Sequence, residues 1–167
     1  WINTVFDTSS SQFSKDTTIG KFLNETYLQN ENYLTTEQVK MISDNSTWYV
    51  GRLLFGENYK LIKYSNISDN TINVNNAIKL KIGLLRSGEL MASQFASYKN
   101  SADYWLLTQY DDNETNNIGN SGDVWKNNPS NALTYISVKP TMNLKSNVVI
   151  TGGDGTKSNP FTIKLNN

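Results

Sequence analysis

The chain has 167 residues, its 15 basic and 15 acidic side chains cancel, and it contains neither Cys nor His. A chain of this length can bury roughly 70% of the surface it exposes when unfolded, so it needs no disulfide or metal to fold, and zero net charge sets up no global field toward nucleic acid or an anionic membrane. Without Cys or His there is no thiolate zinc site, no Ser-His-Asp triad and no imidazole base, which leaves carboxylates, Lys and Tyr as the side chains on which catalysis would have to rest.

Asp16 reads as the cap of a first helix, because Ile19, Phe22, Leu23 and Tyr27 follow at spacings of three and four and make one apolar face. Thr35 and Gln38 have capping-box spacing and open a second helix, with Val39 and Ile42 as its stripe and an end near 44–46. Residues 47–50 then read as a strand, with Gly51 as a bulge or a close backbone approach. Lys60 and Lys63 mark 59–64 as an edge strand, and 65–76 is a polar loop. The run 78–85 alternates and then turns wholly apolar, as a strand does on passing from a sheet edge into a core. Ser87 reads as the N-cap of a short helix carrying Leu90, Met91 and Phe95.

Tyr104, Trp105, Leu106 and Leu107 form the most hydrophobic aromatic run, expected as a central strand. The stretch 111–131 is rich in Asn, Asp and Gly and reads as a long polar loop, the first candidate for a recognition surface. Residues 133–138 return as a strand, and Pro140 belongs at an edge or bulge because it has no N–H to donate. Val148 to Ile150 and Phe161 to Leu165 are two strand-length runs joined by a wide polar connection, in which Gly152 to Gly155 tolerate positive φ. These elements add up to one α+β domain over 1–167: a mainly antiparallel sheet, two N-terminal helices and one short central helix. No run of 18 apolar residues predicts membrane insertion by this segment. The opening at Trp1, without an initiator Met, reads as a processed or excised segment whose targeting region lies upstream.

Asp111, Asp112, Asn113, Glu114 and Asp123 crowd the 111–131 stretch with hard oxygen donors, the ligands calcium prefers, although their spacing is not that of an EF-hand. If a cation binds, Asp111, Asp112, Glu114 and Asp123 are its ligands; a solvated acidic loop is the simpler reading, and no cofactor is expected. Trp125, alone among the tryptophans, falls in this polar stretch, and with Tyr110, Asp111, Asp112, Asn113 and Asp123 it makes the candidate ligand-binding set, flat apolar faces being suited to sugar rings. Trp48 and Trp105 lie within predicted strands and read as core. Glu89 and Glu114 have no spacing that makes them an acid–base pair, and Lys139 and Lys145 flank a strand where a Lys–Asp or Lys–Asn crosslink is chemically conceivable but solvated lysines are the default. About two dozen asparagines, with many Ser and Thr, suit a solvated extracellular surface and equally an AT-rich genome.

Three segments together, VKMISDNSTWYVG, KIGLLRSGELMA and YWLLT followed by ISVKPTMNLKSNVVITGGDGTKSNPF, resemble a C-terminal domain of surface proteins from low-GC Gram-positive bacteria, many of which begin with a type IV pilin-like helix. The resemblance covers roughly 16–165. It implies an extracellular, cell-surface module with a C-type-lectin-like α+β fold, non-catalytic, whose partners are a protein or glycan on a surface or neighbouring subunits of a filament. The lectin calcium tripeptides Glu-Pro-Asn and Trp-Asn-Asp are missing, so calcium-dependent sugar binding does not carry over. A pilin-like subunit or adhesin-type domain is therefore the expected function, with a carbohydrate-binding module of a larger secreted protein as the alternative.

Overall fold

The computed structural model describes residues 2–52, 77–93, 102–130 and 136–166. In chain order the elements are α1 (Thr18–Lys21), continued by a π-helical stretch (Phe22–Tyr27), α2 (Thr36–Met41), β1 (Ser46–Tyr49), β2 (Gly51–Arg52), β3 (Ala77–Leu80), β4 (Ile82–Gly83) and α3 (Ser87–Ser93). They are followed by β5 (Asp103–Gln109), β6 (Thr115–Ile118), β7 (Val124–Asn127), β8 (Ile136–Ser137), β9 (Thr141–Met142), β10 (Val148–Gly152) and β11 (Thr162–Leu165). The expected α+β class, with few helices and mainly antiparallel pairing, is what the chain forms. The predicted strand over 59–64, the loop after it, Phe95, Trp1 and residues 133–135 of the later strand lie outside the described residues.

The apolar run that predicts a central strand becomes β5, buried along nearly its whole length. Trp105 and Leu107 point into the larger core with Phe6, Phe13, Ile19, Leu23 and Trp48, while Tyr104 and Leu106 point the other way into a second cluster with Leu90 and Ile118. Burial on both faces leaves only the edges for hydrogen bonding. One edge takes β6, antiparallel, with Tyr104 opposite Ile118 and Gln109 opposite Thr115; the other takes β8 at Asp103–Tyr104 and β2 at Thr108–Gln109, both parallel. Leu107 N–H donates to Leu85 C=O at 2.8 Å.

β1 pairs with β3, yet β2, two residues later, pairs with β5, so the chain changes sheets at Val50–Gly51. Gly51 makes the change possible at φ 104°, a conformation side chains with a Cβ rarely adopt. The predicted 78–85 strand is split. β3 pairs with β1 but β4 pairs with β9, and the Asn24 amide closes on Ile82 from the side, accepting from its N–H at 3.0 Å and donating to its C=O at 2.9 Å. A side chain thereby replaces a strand neighbour. Trp48 stands against this break: its indole N–H donates to Leu80 C=O at 2.9 Å, and its ring covers Gly83 so closely that an added Cβ would lie 2.6 Å from it.

The capping box of α2 forms as its sequence dictates, Gln38 N–H donating to Thr35 Oγ1 and Thr35 N–H to Gln38 Oε1. Two other caps shift by one residue. Thr17, not Asp16, caps α1, its Oγ1 accepting from Gly20 N–H at 3.2 Å, because Thr17 is the extended residue that enters the helix while Asp16 stays in solvent beside Lys15. For α3 the cap position falls to Arg86, whose N–H is taken by Glu89 Oε2 at 2.9 Å; Ser87 is already helical and its N–H goes to Thr108 Oγ1.

The N-terminal segment, for which the sequence carries no periodic signal, laces the sheet together. Trp105 indole N–H donates to Thr4 C=O, Phe6 packs edge-on against Trp105 at 5.7 Å, and Ser137 pairs with Asn3. Asp7, only 8% exposed, accepts at Oδ1 from the N–H and hydroxyl of Thr18 and at Oδ2 from Ser9 and Ser10. Burial acts to raise its carboxyl, but these donors outweigh it and hold the group below its ordinary 3.8.

Two expectations follow. Replacing Gly83 by Ala forces a methyl into the Trp48 ring within a packed core, and urea unfolding followed by tryptophan fluorescence should show a loss of about 1–3 kcal/mol. Because the folded carboxyl of Asp7 titrates below the unfolded one, its stabilisation is complete above the unfolded value and lost as pH falls through the folded one. Asp7→Asn should therefore be less stable than the native chain at neutral pH, with a difference in unfolding midpoint that shrinks below pH 3.8; a gap unchanged by acid would contradict this role.

Candidate functional site

Where the sequence predicts one long loop over 111–131, the described part of the chain forms a hairpin, β6 and β7 paired from Thr115↔Asn127 to Ile118↔Val124. Period-two hydrophobicity misses β6 because its sequence is Thr-Asn-Asn-Ile, yet all four residues are buried. What substitutes for apolar packing is a set of side-chain bonds: Thr115 Oγ1 donates to Ser11 C=O at 2.7 Å and Asn127 Nδ2 donates to Asn117 Oδ1 at 2.7 Å. Ser11 ties the same corner from the other side, donating to Asp111 C=O and accepting from Gln109 Nε2.

Three of the four acidic residues of this region have separate tasks. Asp111 Oδ1 accepts from the N–H groups of Asn113 and Glu114, both at 2.8 Å, and so builds the turn from β5 into β6. Glu114 pairs with Lys126 at 2.7 Å and holds that ammonium above its ordinary value. Asp123 accepts from Ser121 Oγ, and Asp112 lies exposed at the turn. Among the described residues no group of three or more Asp or Glu converges as a metal site would require.

Trp125 is 58% exposed and stands in register with Asn117, its indole lying over Gly119. Tyr110 is 44% exposed and lies under Lys126, whose Nζ is 4.5 Å from the ring centroid. Since Trp125 and Lys126 are neighbours on one strand, their side chains leave opposite faces of the hairpin. The candidate set Trp125, Tyr110, Asp111, Asp112, Asn113 and Asp123 thus divides: Tyr110 with Lys126 on one face, Trp125 on the other, the Asp111–Asn113 turn at one end and Asp123 in the β6–β7 turn at the other.

Of the remaining candidates, Glu89 caps α3, Lys139 Nζ lies 3.7 Å from the Tyr104 ring centroid, and Lys145 reaches Asp44 at 3.3 Å. Asp44 also receives Lys81 at 2.9 Å, and the two ammonium groups hold its carboxyl below the usual range; this charged trio borders a hollow of about 500 Å3 beside α2. Sequence spacing gave no sign of a second hollow, about 590 Å3, formed where Phe22, Tyr27 and Tyr33 face Val138 and Pro140. Tyr27 and Tyr33 stack there at 5.1 Å and 7°, and burial, then Tyr33, pushes the Tyr27 phenol up.

No protein-family model, curated protein or solved structure matches the chain. No described helix is long and apolar enough to cross a membrane.

If Asp111 serves the turn, Asp111→Ala should cost about 1–2 kcal/mol by chemical unfolding, and millimolar calcium should leave the melting temperature of the native chain unchanged. A calcium-dependent rise abolished by Asp111→Ala would instead assign the carboxylate to a cation.

Proposed function

We propose that the chain is a non-catalytic extracellular module of a Gram-positive surface protein, pilin-like or adhesin-type with a C-type-lectin-like fold, that engages a macromolecule on a surface through the β6–β7 hairpin. The observation that carries this reading is the exposed indole of Trp125 on a hairpin whose other strand is fully buried. A large flat apolar side chain held out from a fixed frame costs apolar exposure and offers a low-entropy contact. The surrounding chemistry supports recognition over turnover, because Asp111, Glu114 and Asp123 are committed to a turn, an ion pair and a hydroxyl contact. The segment resemblance supports the extracellular setting.

A carbohydrate ligand is the second reading, and the same exposure favours it: a fully buried Trp125 would have removed the stacking platform. Trp125→Ala should leave the unfolding free energy within about 0.5 kcal/mol, as surface substitutions do, while reducing retention on glycan arrays or on immobilised surface proteins. Loss on glycans alone selects the sugar-binding reading, loss on protein alone selects the adhesin reading, and a variant that binds everything the native chain binds removes Trp125 from the contact surface.

A further inference from the structure

Strand alternation sorts the C-terminal hairpin into two unlike faces. Val148 stands opposite Leu165 and Ile150 opposite Ile163, so these four side chains leave one face of the β10–β11 sheet, and none is polar. Phe161, two residues before Ile163, extends the row at the tip, its ring lying over Gly155. The other face carries Val149 and Lys164, with the Thr151 and Thr162 hydroxyls 3.0 Å apart. A two-stranded sheet with one apolar face ordinarily needs a third strand, or a layer packed on that face, to be stable in water. Here β10 and β11 pair with each other, and among the described residues no third strand joins them. α2 comes near, but a hollow of about 440 Å3 remains between its Lys40 and Met41 and the Ile163–Leu165 end of the strand. Val148 and Leu165 at the base are half-buried, whereas Ile150, Phe161 and Ile163 stay 63%, 54% and 36% exposed.

Together the row leaves about 400 Å2 of apolar surface open, the size of the largest patch on a typical monomer, which is often an interaction site. A standard interface buries about 800 Å2 per partner, roughly 60% of it apolar, or about 480 Å2. The row therefore supplies most of the apolar centre that one side of such an interface needs. The face itself carries no charge, and the charges bordering it, Glu37 and Lys40, are closed on each other at 2.6 Å. A charged peptide or a nucleic acid thus meets no countercharge here, while an identical face meets no repulsion. With 15 basic and 15 acidic residues, two copies also have no net charge to hold them apart. Pairing about a twofold axis sets the same patch against itself, so each apolar row covers the other. We propose that this face is closed by the same face of a second copy, the two hairpins packing with Ile150, Phe161 and Ile163 at the centre of the contact. This contact is separate from the β6–β7 surface and stands whether or not Trp125 meets a ligand.

Sedimentation velocity on the whole chain, from about 5 to about 500 μM, tests the pairing. The weight-average mass should rise from monomer toward dimer and stop there, with a dissociation constant of about 50 μM, as suits an interface at the small end of the range. Ile150→Lys sets two ammonium groups against each other at the centre of the contact and should weaken association at least about tenfold. Its unfolding midpoint, measured at the lowest concentration, should match that of the native chain, as at other exposed positions. Ile150→Thr, which keeps a β-branched residue in the strand, serves the same purpose if the Lys variant does not fold. Lys164→Glu, on the opposite face, should associate as the native chain does. A monomer at every concentration, mass climbing past the dimer, association untouched by both Ile150 variants, or association lost in Lys164→Glu would each overturn the assignment.

Discussion

A strand buried on both faces can satisfy its backbone only along its edges, and β5 imposes that constraint on the rest of this molecule. Its alternating side chains feed two clusters, Trp105 and Leu107 on one side and Tyr104 and Leu106 on the other. Both edges must then be occupied, and the chain supplies β6 on one and the short strands β2 and β8 on the other. The sheet change at Gly51 follows from this demand, because the strand that pairs with β3 has to abandon it within two residues to reach Thr108.

The end of β5 is polar, and its burial raises the second requirement. Thr108 accepts from Ser87 N–H, Gln109 donates to Ser11 Oγ, and Thr115 across the ladder donates to Ser11 C=O. Ser11 is thus a junction between the N-terminal segment and the β5–β6 turn. Asp7 fixes the neighbouring stretch by collecting donors from Ser9, Ser10 and Thr18, and Pro129 C=O accepts from the N–H groups of Phe6 and Asp7. Through these bonds the segment that follows β7 is tied to the same knot, which gives Trp125 and Tyr110 a rigid base.

What the sequence made legible was what rests on local chemistry. The α2 capping box, the apolar face of α1, the two core tryptophans and the C-terminal hairpin with its positive-φ Gly153 and Gly155 all depend on neighbours within a few residues. The hairpin keeps Ile150 63% exposed, so its turn chemistry and cross-strand pairing specify it without a core of its own. What escaped was held by distant partners. β6 reads as loop because Asn116 and Asn117 disfavour strands, and the bonds that anchor it come from afar, Asn127 to the Asn117 side chain and Thr115 to Ser11. The 78–85 break depends on Asn24, and the Tyr27–Tyr33 groove on a π-helical winding that no local pattern announces. Trp125 was legible as the exposed aromatic of a polar stretch, whereas its separation from Tyr110 required the alternation of β7.

A recognition surface on a polar segment can be a floppy loop ordered by its ligand or a hairpin braced in advance, and the two differ in what binding costs. Bracing is the claim that links the buried frame to the exposed indole. Amide hydrogen exchange on the whole, ligand-free chain measures it directly. The expected result is that the amides of β6 and its ladder partners on β7 exchange as slowly as those of β5, and more slowly than those of the exposed β10–β11 hairpin. Exchange of the 115–127 amides at the rate of an unstructured peptide, with β5 still protected, would contradict it.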